Sequence, residues 1–288
     1  MAKRIVFGLL WTGIGVLMLV LRNTPVISVF FAAICAIATH EINHAVKLKN
    51  KPVMVLSLVA SALVPLYYEY SEYLQGIGLN LEAEYLVCLY VLALCIFMLF
   101  EYENTKFSHI ATVILGSLGV PFAITRFLYF RDLHEIFPEQ NYNENHGIFM
   151  ILFITFCAWM TDVMAYFVGS FCGKHKLCPN ISPKKTIEGA IGGVVGCTIA
   201  NIVLYAIFTN LIFKTEENNY LAVALMSVFL SIISMCGDLT ASVIKRNFGI
   251  KDFGKIIPGH GGIMDRFDSV IFVITALYAI FNIFGVVI

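Results

Sequence analysis

Four aspartates stand in or beside long apolar runs, where a charge is hard to accommodate. Asp162 and Asp238 lie inside such runs, and Asp265 and Asp268 open another. An ionisable side chain at membrane depth is costly and marks a functional site by default. Residues three, four and seven apart share a helix face. Trp159, Asp162, Tyr166 and Gly169 therefore form one stripe. Asp238, Ser242, Lys245 and Gly249 form a second, with a carboxylate, a hydroxyl and a cation in line. Asp265 and Asp268 also share a face. Four carboxylates converging at one depth, beside cations, are what metal-assisted phosphate chemistry requires. The plainer reading of any one of them is a helix-end charge or an interhelical pair.

Two loops supply the cations. The first runs Lys245-Arg246-Asn247-Phe248-Gly249-Ile250-Lys251-Asp252-Phe253-Gly254-Lys255-Ile256-Ile257-Pro258-Gly259-His260-Gly261-Gly262-Ile263-Met264-Asp265-Arg266-Phe267-Asp268. Basic residues precede a Pro-Gly-His-Gly-Gly turn whose glycines let backbone amides approach an anion. The carboxylates that follow suit Mg²⁺, and the cations and amides suit phosphate oxygens. The second loop holds Gly173-Lys174-His175-Lys176 and then Ser182-Pro183-Lys184-Lys185-Thr186-Ile187-Glu188-Gly189. Lys184 and Lys185 are phosphate candidates and Thr186 is placed to cap a helix; the alternative is an ordinary basic cytoplasmic loop. Gly189, Gly192, Gly193 and Gly196 are spaced for close helix packing and need no catalytic role.

The elements that must position these residues are membrane helices. Hydrophobic residues make up 59% of the 288 and charged residues 13%, against about 45–50% and about 25% in soluble proteins. Nine apolar stretches are long enough to span a bilayer, at about 5–21, 25–39, 52–68, 85–100, 109–130, 147–172, 187–212, 220–244 and 266–287. The expected fold is an all-α polytopic membrane bundle of about nine transmembrane helices. The first run follows Lys3 and Arg4 and reads as a retained anchor, because no small-residue cleavage site follows it. With nine spans, 15 of the 19 lysines and arginines fall on the amino-terminal side, which the positive-inside rule makes cytoplasmic. The expected setting is therefore the cytoplasmic (inner) membrane, with the amino terminus and active site facing the cytoplasm. Residues 1–145 are expected to form a scaffold with a lipid-facing and dimer surface, and 146–288 a catalytic half with cytoplasmic loops.

Zero formal charge gives no case for nucleic acid as a partner. Six of the eight cysteines (Cys35, Cys88, Cys95, Cys157, Cys197 and Cys236) sit in apolar runs, Cys172 and Cys178 approach a loop, and no CxxC pair exists. They read as small apolar side chains rather than a disulfide framework or zinc site. No internal repeat or pair of broken helices points to a transporter. A rival motif, His40-Glu41-Ile42-Asn43-His44, matches the HExxH pattern of zinc peptidases, with Glu41 as general base. Five residues without a third-ligand motif weigh less than the long carboxy-terminal constellation, and His40 and His44 read better as interfacial residues.

That constellation resembles a known family. Gly237-Asp238-Leu239-x-x-Ser242-x-x-Lys245-Arg246, continued through Lys251-Asp252 and Pro258-Gly259-His260-Gly261-Gly262 to Asp265-Arg266-x-Asp268, looks like the signature of the phosphatidate cytidylyltransferases, or CDP-diacylglycerol synthases. Asp162-x-x-Ala165-Tyr166-x-x-Gly169 and Ser182-Pro183-Lys184-Lys185-Thr186-x-Glu188-Gly189 resemble that family's other shared stretches. The resemblance covers roughly 155–270; Ser170, Ile187 and Ala241 depart from common family residues. It implies transfer of CMP from CTP to phosphatidate, with Mg²⁺, one ion or two, as cofactor. It also implies Asp238 and Asp265 as metal ligands, and Asp162 and Asp268 as further ligands or their partners. Lys245, Arg246 and Lys251 would meet the phosphates, and His260, Gly261 and Gly262 would shape the pyrophosphate pocket. Ser182, Lys184, Lys185, Thr186, Glu188, Ser242 and Arg266 are further nucleotide-binding candidates. Expected partners are CTP, phosphatidate, membrane lipid and a second copy of the chain. A CTP-dependent lipid kinase or a synthase for an ether-linked archaeal lipid would share parts of the motif; an ion-coupled transporter is more distant.

Overall fold

The computed structural model describes residues 13–140, 142–213, 219–256 and 261–284. Among them are eight helices long and apolar enough to cross a membrane. They are α1 (Val26–Ala45), α2 (Lys51–Gly76), α3 (Ala83–Phe100), α4 (Phe107–Arg131), α5 (Glu144–Cys172), α6 (Ile187–Phe213), α7 (Tyr220–Asn247) and α8 (Met264–Phe284). They match the second to ninth expected runs, with the largest extensions at helix ends. Residues 5–12 of the run 5–21 lie outside the described residues; 13–20 are helical. Side-chain oxygens start several helices by accepting first-turn amides, the usual capping arrangement. Asn50 caps α2 through Val53 N, Thr186 caps α6 through Gly189 N, and Asn219 caps α7 through Ala222 N.

The chain divides into two compact units. One contains the described residues up to Leu128 together with those between Ile250 and Asp265. Within it, α1 packs on α2 and on the π turn Leu115–Gly119 of α4. Gly116 admits Ile42 there, and its carbonyl accepts from Thr39 Oγ1 at 3.1 Å. Asn43 donates to Ser57 at 2.8 Å between α1 and α2. Buried Asn50 does double duty, its Nδ2 donating to Phe97 O and Thr105 Oγ1 at 3.0 Å each. These polar bridges matter because apolar burial alone does not drive helices together in lipid.

The other unit contains Tyr129–Gly249 and the described residues from Arg266 onward. Its centre is the pair α5 and α6, which meet along the glycine stripe read from the sequence. A Cβ at Gly189 would stand 2.7 Å from Ala165 O, one at Gly193 2.9 Å from Thr161 O, and one at Gly196 2.6 Å from Met164 Cγ. On α6, Ile191, Val195, Ile199 and Val203, spaced by four, are all exposed. The helix thus turns small residues to its neighbour and branched apolar residues outward, as a lipid-facing helix should. Between α5 and α6 the basic loop forms an antiparallel hairpin, β1 (Lys176–Cys178) and β2 (Ser182–Thr186), with Lys176 opposite Thr186 and Cys178 opposite Ser182.

Candidate active site

The hairpin is held at both its ends. Thr186 caps α6 (Oγ1 to Gly189 N, 3.1 Å). Two residues later Glu188 accepts from the amides of Lys174 (3.1 Å) and His175 (3.2 Å) and contacts His175 Nδ1 at 2.6 Å. Glu188, expected among the nucleotide-binding residues, is thus engaged in closing the hairpin. This fixes the strand that carries Lys184 and Lys185; Lys184 is exposed and Ser182 half-buried.

Lys185 forms an ion pair with Asp238 of α7. Asp238 is brought close to α8 by the preceding residue. Gly237 lies against that helix so tightly that a Cβ on it would stand 3.0 Å from Asp268 O and from Phe272 Cβ. Asp268 is buried; its Oδ1 accepts from Ser269 N at 2.8 Å and its Oδ2 stands 3.8 Å from Lys245 Nζ. Asp162, exposed on α5, interacts electrostatically with Asp238, Lys185, Asp268 and Arg266. Three expected carboxylates and three expected cations therefore gather in this unit, with opposite charges interleaved. Ser242 is half-buried one turn from Asp238, and Arg246 is exposed at the end of α7.

Among the described residues no three His, Cys, Asp or Glu side chains form a ready-made metal cluster. The donors that do gather are carboxylate oxygens flanked by cations. Mg²⁺ keeps several waters and is commonly bound by one or two carboxylates plus substrate phosphates rather than by an all-protein cage. The donor set fits such an ion.

In the unit built on α1 to α4, the segment between Ile250 and Asp265 is organised by two carboxylates. Asp265 Oδ2 accepts from Phe253 N (2.8 Å) and Gly262 N (2.9 Å). Gly261 has φ +86, and a Cβ there would lie 2.9 Å from the same oxygen, so both backbone and space call for glycine. Lys251 is exposed; His260 lies outside the described residues. The second carboxylate is Glu41 of α1, 3% exposed. Its Oε1 accepts from Ile263 N at 3.1 Å and its Oε2 from Met264 N at 2.8 Å. This gives Glu41 a role other than the general base of the HExxH pattern: His40 and His44 are exposed while Glu41 is buried against a loop more than two hundred residues away. Sequence reasoning missed this role; the available signal was an acid just past the end of an apolar run, absorbed into a five-residue pattern.

The sequence model of the cytidylyltransferase family matches residues 2–284. The chain belongs to this family. It is 32% identical over 290 residues to the phosphatidate cytidylyltransferase of Bacillus subtilis (strain 168), covering 99% of both chains. Over 131 residues it is 47% identical to the phosphatidate cytidylyltransferase of Staphylococcus haemolyticus (strain JCSC1435), covering 46% of this chain and 48% of that one. The enzyme of that name from Staphylococcus aureus (strain COL) is 44% identical over 133 residues, or 46% and 49% of the two chains. Membership of the cytidylyltransferases agrees with the resemblance read from the carboxy-terminal motifs and extends it over the amino-terminal helices.

Proposed function

We propose that this protein transfers the cytidylyl group of CTP to phosphatidate, giving CDP-diacylglycerol and pyrophosphate. The observation that carries the reading is the cluster in which Asp162, Asp238 and Asp268 alternate with Lys185, Lys245 and Arg266. The full-length similarity to a phosphatidate cytidylyltransferase supports the choice of substrates. A phosphate oxygen of the lipid attacks the α-phosphorus of CTP, and the bond to the β-phosphate breaks with pyrophosphate leaving. The substrate supplies the nucleophile, so the protein's task is to position two anions and offset their charge.

Lys185 and Lys245 are each held near a carboxylate that can release them toward a phosphate oxygen. Arg266 adds a half-buried guanidinium, and Lys184, Arg246 and Lys251 are exposed cations for the outer phosphates. Asp238, with Asp162 and Asp268, would hold a divalent ion, proposed as Mg²⁺. When bound, that ion would neutralise polyphosphate charge and polarise the reacting phosphorus. Asp265, which orders the glycine-rich segment of its own unit, is proposed as a carboxylate available to a divalent ion. Orientation with these residues at the cytoplasmic face of the inner membrane is part of the reading, supported by the distribution of lysine and arginine. So is a homodimer, supported by α3, which buries only Tyr90 and Leu94 of its length.

The test is purified protein in lipid–detergent micelles with phosphatidate, Mg²⁺ and CTP labelled at either the α- or the γ-phosphorus. Label from the α position is expected in the extracted lipid, and γ label in released pyrophosphate. Lipid labelled only from the γ position would make the protein a lipid kinase, and no label in lipid from either would overturn the proposal.

A further inference from the structure

Glu41 of α1 is one of the two carboxylates that organise the glycine-rich segment, and its engagement is extensive. It accepts one amide with each oxygen, from Ile263 and Met264. Met264 begins α8, so the negative charge sits at a helix start, where exposed N–H groups and the helix dipole favour it. Gly254 and Gly262 flank the same carboxylate, and a Cβ on either would overlap Glu41 Oε1. These glycines therefore have a steric reason: they leave room for Glu41. Asp265 fastens the same stretch independently, joining Phe253 N to Gly262 N. Residues on both sides of Pro258-Gly259-His260 are thus tied to two carboxylates.

We infer that Glu41 is a positioning residue for cytidylyl transfer, a clasp that fixes residues 251–256 and 261–265 in their nucleotide-binding arrangement. The inference rests on the proposed function for the reaction it serves, although the clasp itself does not. Glu41 has no contact with the reacting atoms to make. It acts through backbone amides, setting where Asp265 and the loop lysines stand. A glutamine can satisfy only one of the two N–H groups and presents a donor to the other, so Glu41→Gln breaks the clasp with almost no change in volume.

The experiment uses the full chain in micelles and reads turnover and loop order separately. Glu41→Gln is expected to raise the KM for CTP by about 10-fold and lower kcat by about 10–100-fold, the range seen when supporting partners of a site are removed. The KM for phosphatidate stays within about twofold. In limited trypsin digestion, cleavage after Lys251 and Lys255, both exposed, is expected to become faster by about 10-fold while other sites keep their rates. Gly254→Ala attacks the clasp from the opposite side and should reproduce both effects, which covers the case of a Glu41 variant that does not fold. His40→Ala, an exposed neighbour on the same helix, should change neither. Wild-type kinetics and digestion in both Glu41→Gln and Gly254→Ala would overturn the inference, as would faster cleavage spread evenly along the chain. If wild-type protein makes no CDP-lipid the proposed function fails, and the digestion result still decides the clasp.

Discussion

Lys185 of β2 and Asp238 of α7 form an ion pair in which the two side chains are almost equally exposed, 25% and 24%. Lys185 Nζ itself is buried, so the pair is shielded from bulk solvent, and removing one partner leaves the other charge without its counterion. Asp238→Asn and Lys185→Ala are each expected to lower kcat/KM by about 10²–10³-fold, the scale of removing one charge-stabilising group. Because the two act as a unit, the double variant should be far less impaired than the product of the single effects. Steady-state transfer of α-labelled CTP into lipid measures all three.

The oxygen-only donor set around Asp268 makes a metal prediction. Chelation is expected to abolish transfer, and added Mg²⁺ to restore it. Asp162→Asn and Asp268→Asn should each raise the Mg²⁺ concentration for half-maximal rate by about 10-fold or more. Asp268→Asn also weakens the attraction to Lys245, so it should show the larger loss. Activity titrations against Mg²⁺ at saturating CTP read out both effects.

Gly193 packs where a Cβ would stand 2.9 Å from Thr161 O and 3.1 Å from Ala165 Cβ. Gly193→Val should force α5 and α6 apart and cost about 1–3 kcal/mol, seen as a lower unfolding temperature in detergent. Residual activity per folded molecule should fall too, because α5 carries Asp162 and α6 anchors the hairpin of Lys185.

His40 and His44 are exposed on α1 and stand apart from any three-residue metal cluster among the described residues. His40→Ala and His44→Ala are expected to keep cytidylyl transfer within about twofold. Elemental analysis should find no stoichiometric zinc whose binding depends on them.

Much of this architecture was legible because the bilayer imposes a simple demand, a run of apolar residues about 20 long. The runs at 147–172 and 187–212 correspond to α5 and α6 almost end to end. Asp162, Asp238 and Asp268 stood out because a charge in an apolar run is conspicuous, and the structure brings all three together in one unit. The hairpin at Lys176–Cys178 and Ser182–Thr186 was not legible: strands of three and five residues, rich in lysine and lacking apolar alternation, carry no strand signal. Glu41 was not legible as a loop anchor for a different reason. Its partners are backbone amides, which have no residue type to recognise, and they lie 222 and 223 positions along the chain.

That separation bears on how the protein is made. Glu41 enters the membrane with α1, whereas Ile263 and Met264 are synthesised 222 and 223 residues later. For most of translation the carboxylate must be kept hydrated or met by a temporary partner, and the amino-terminal helices remain an unfinished unit. Contacts so distant along the chain close slowly. Closure of this contact is therefore a late event, completed only when the segment leading into α8 folds back onto α1. A nascent chain stalled before residue 263 would carry an open clasp.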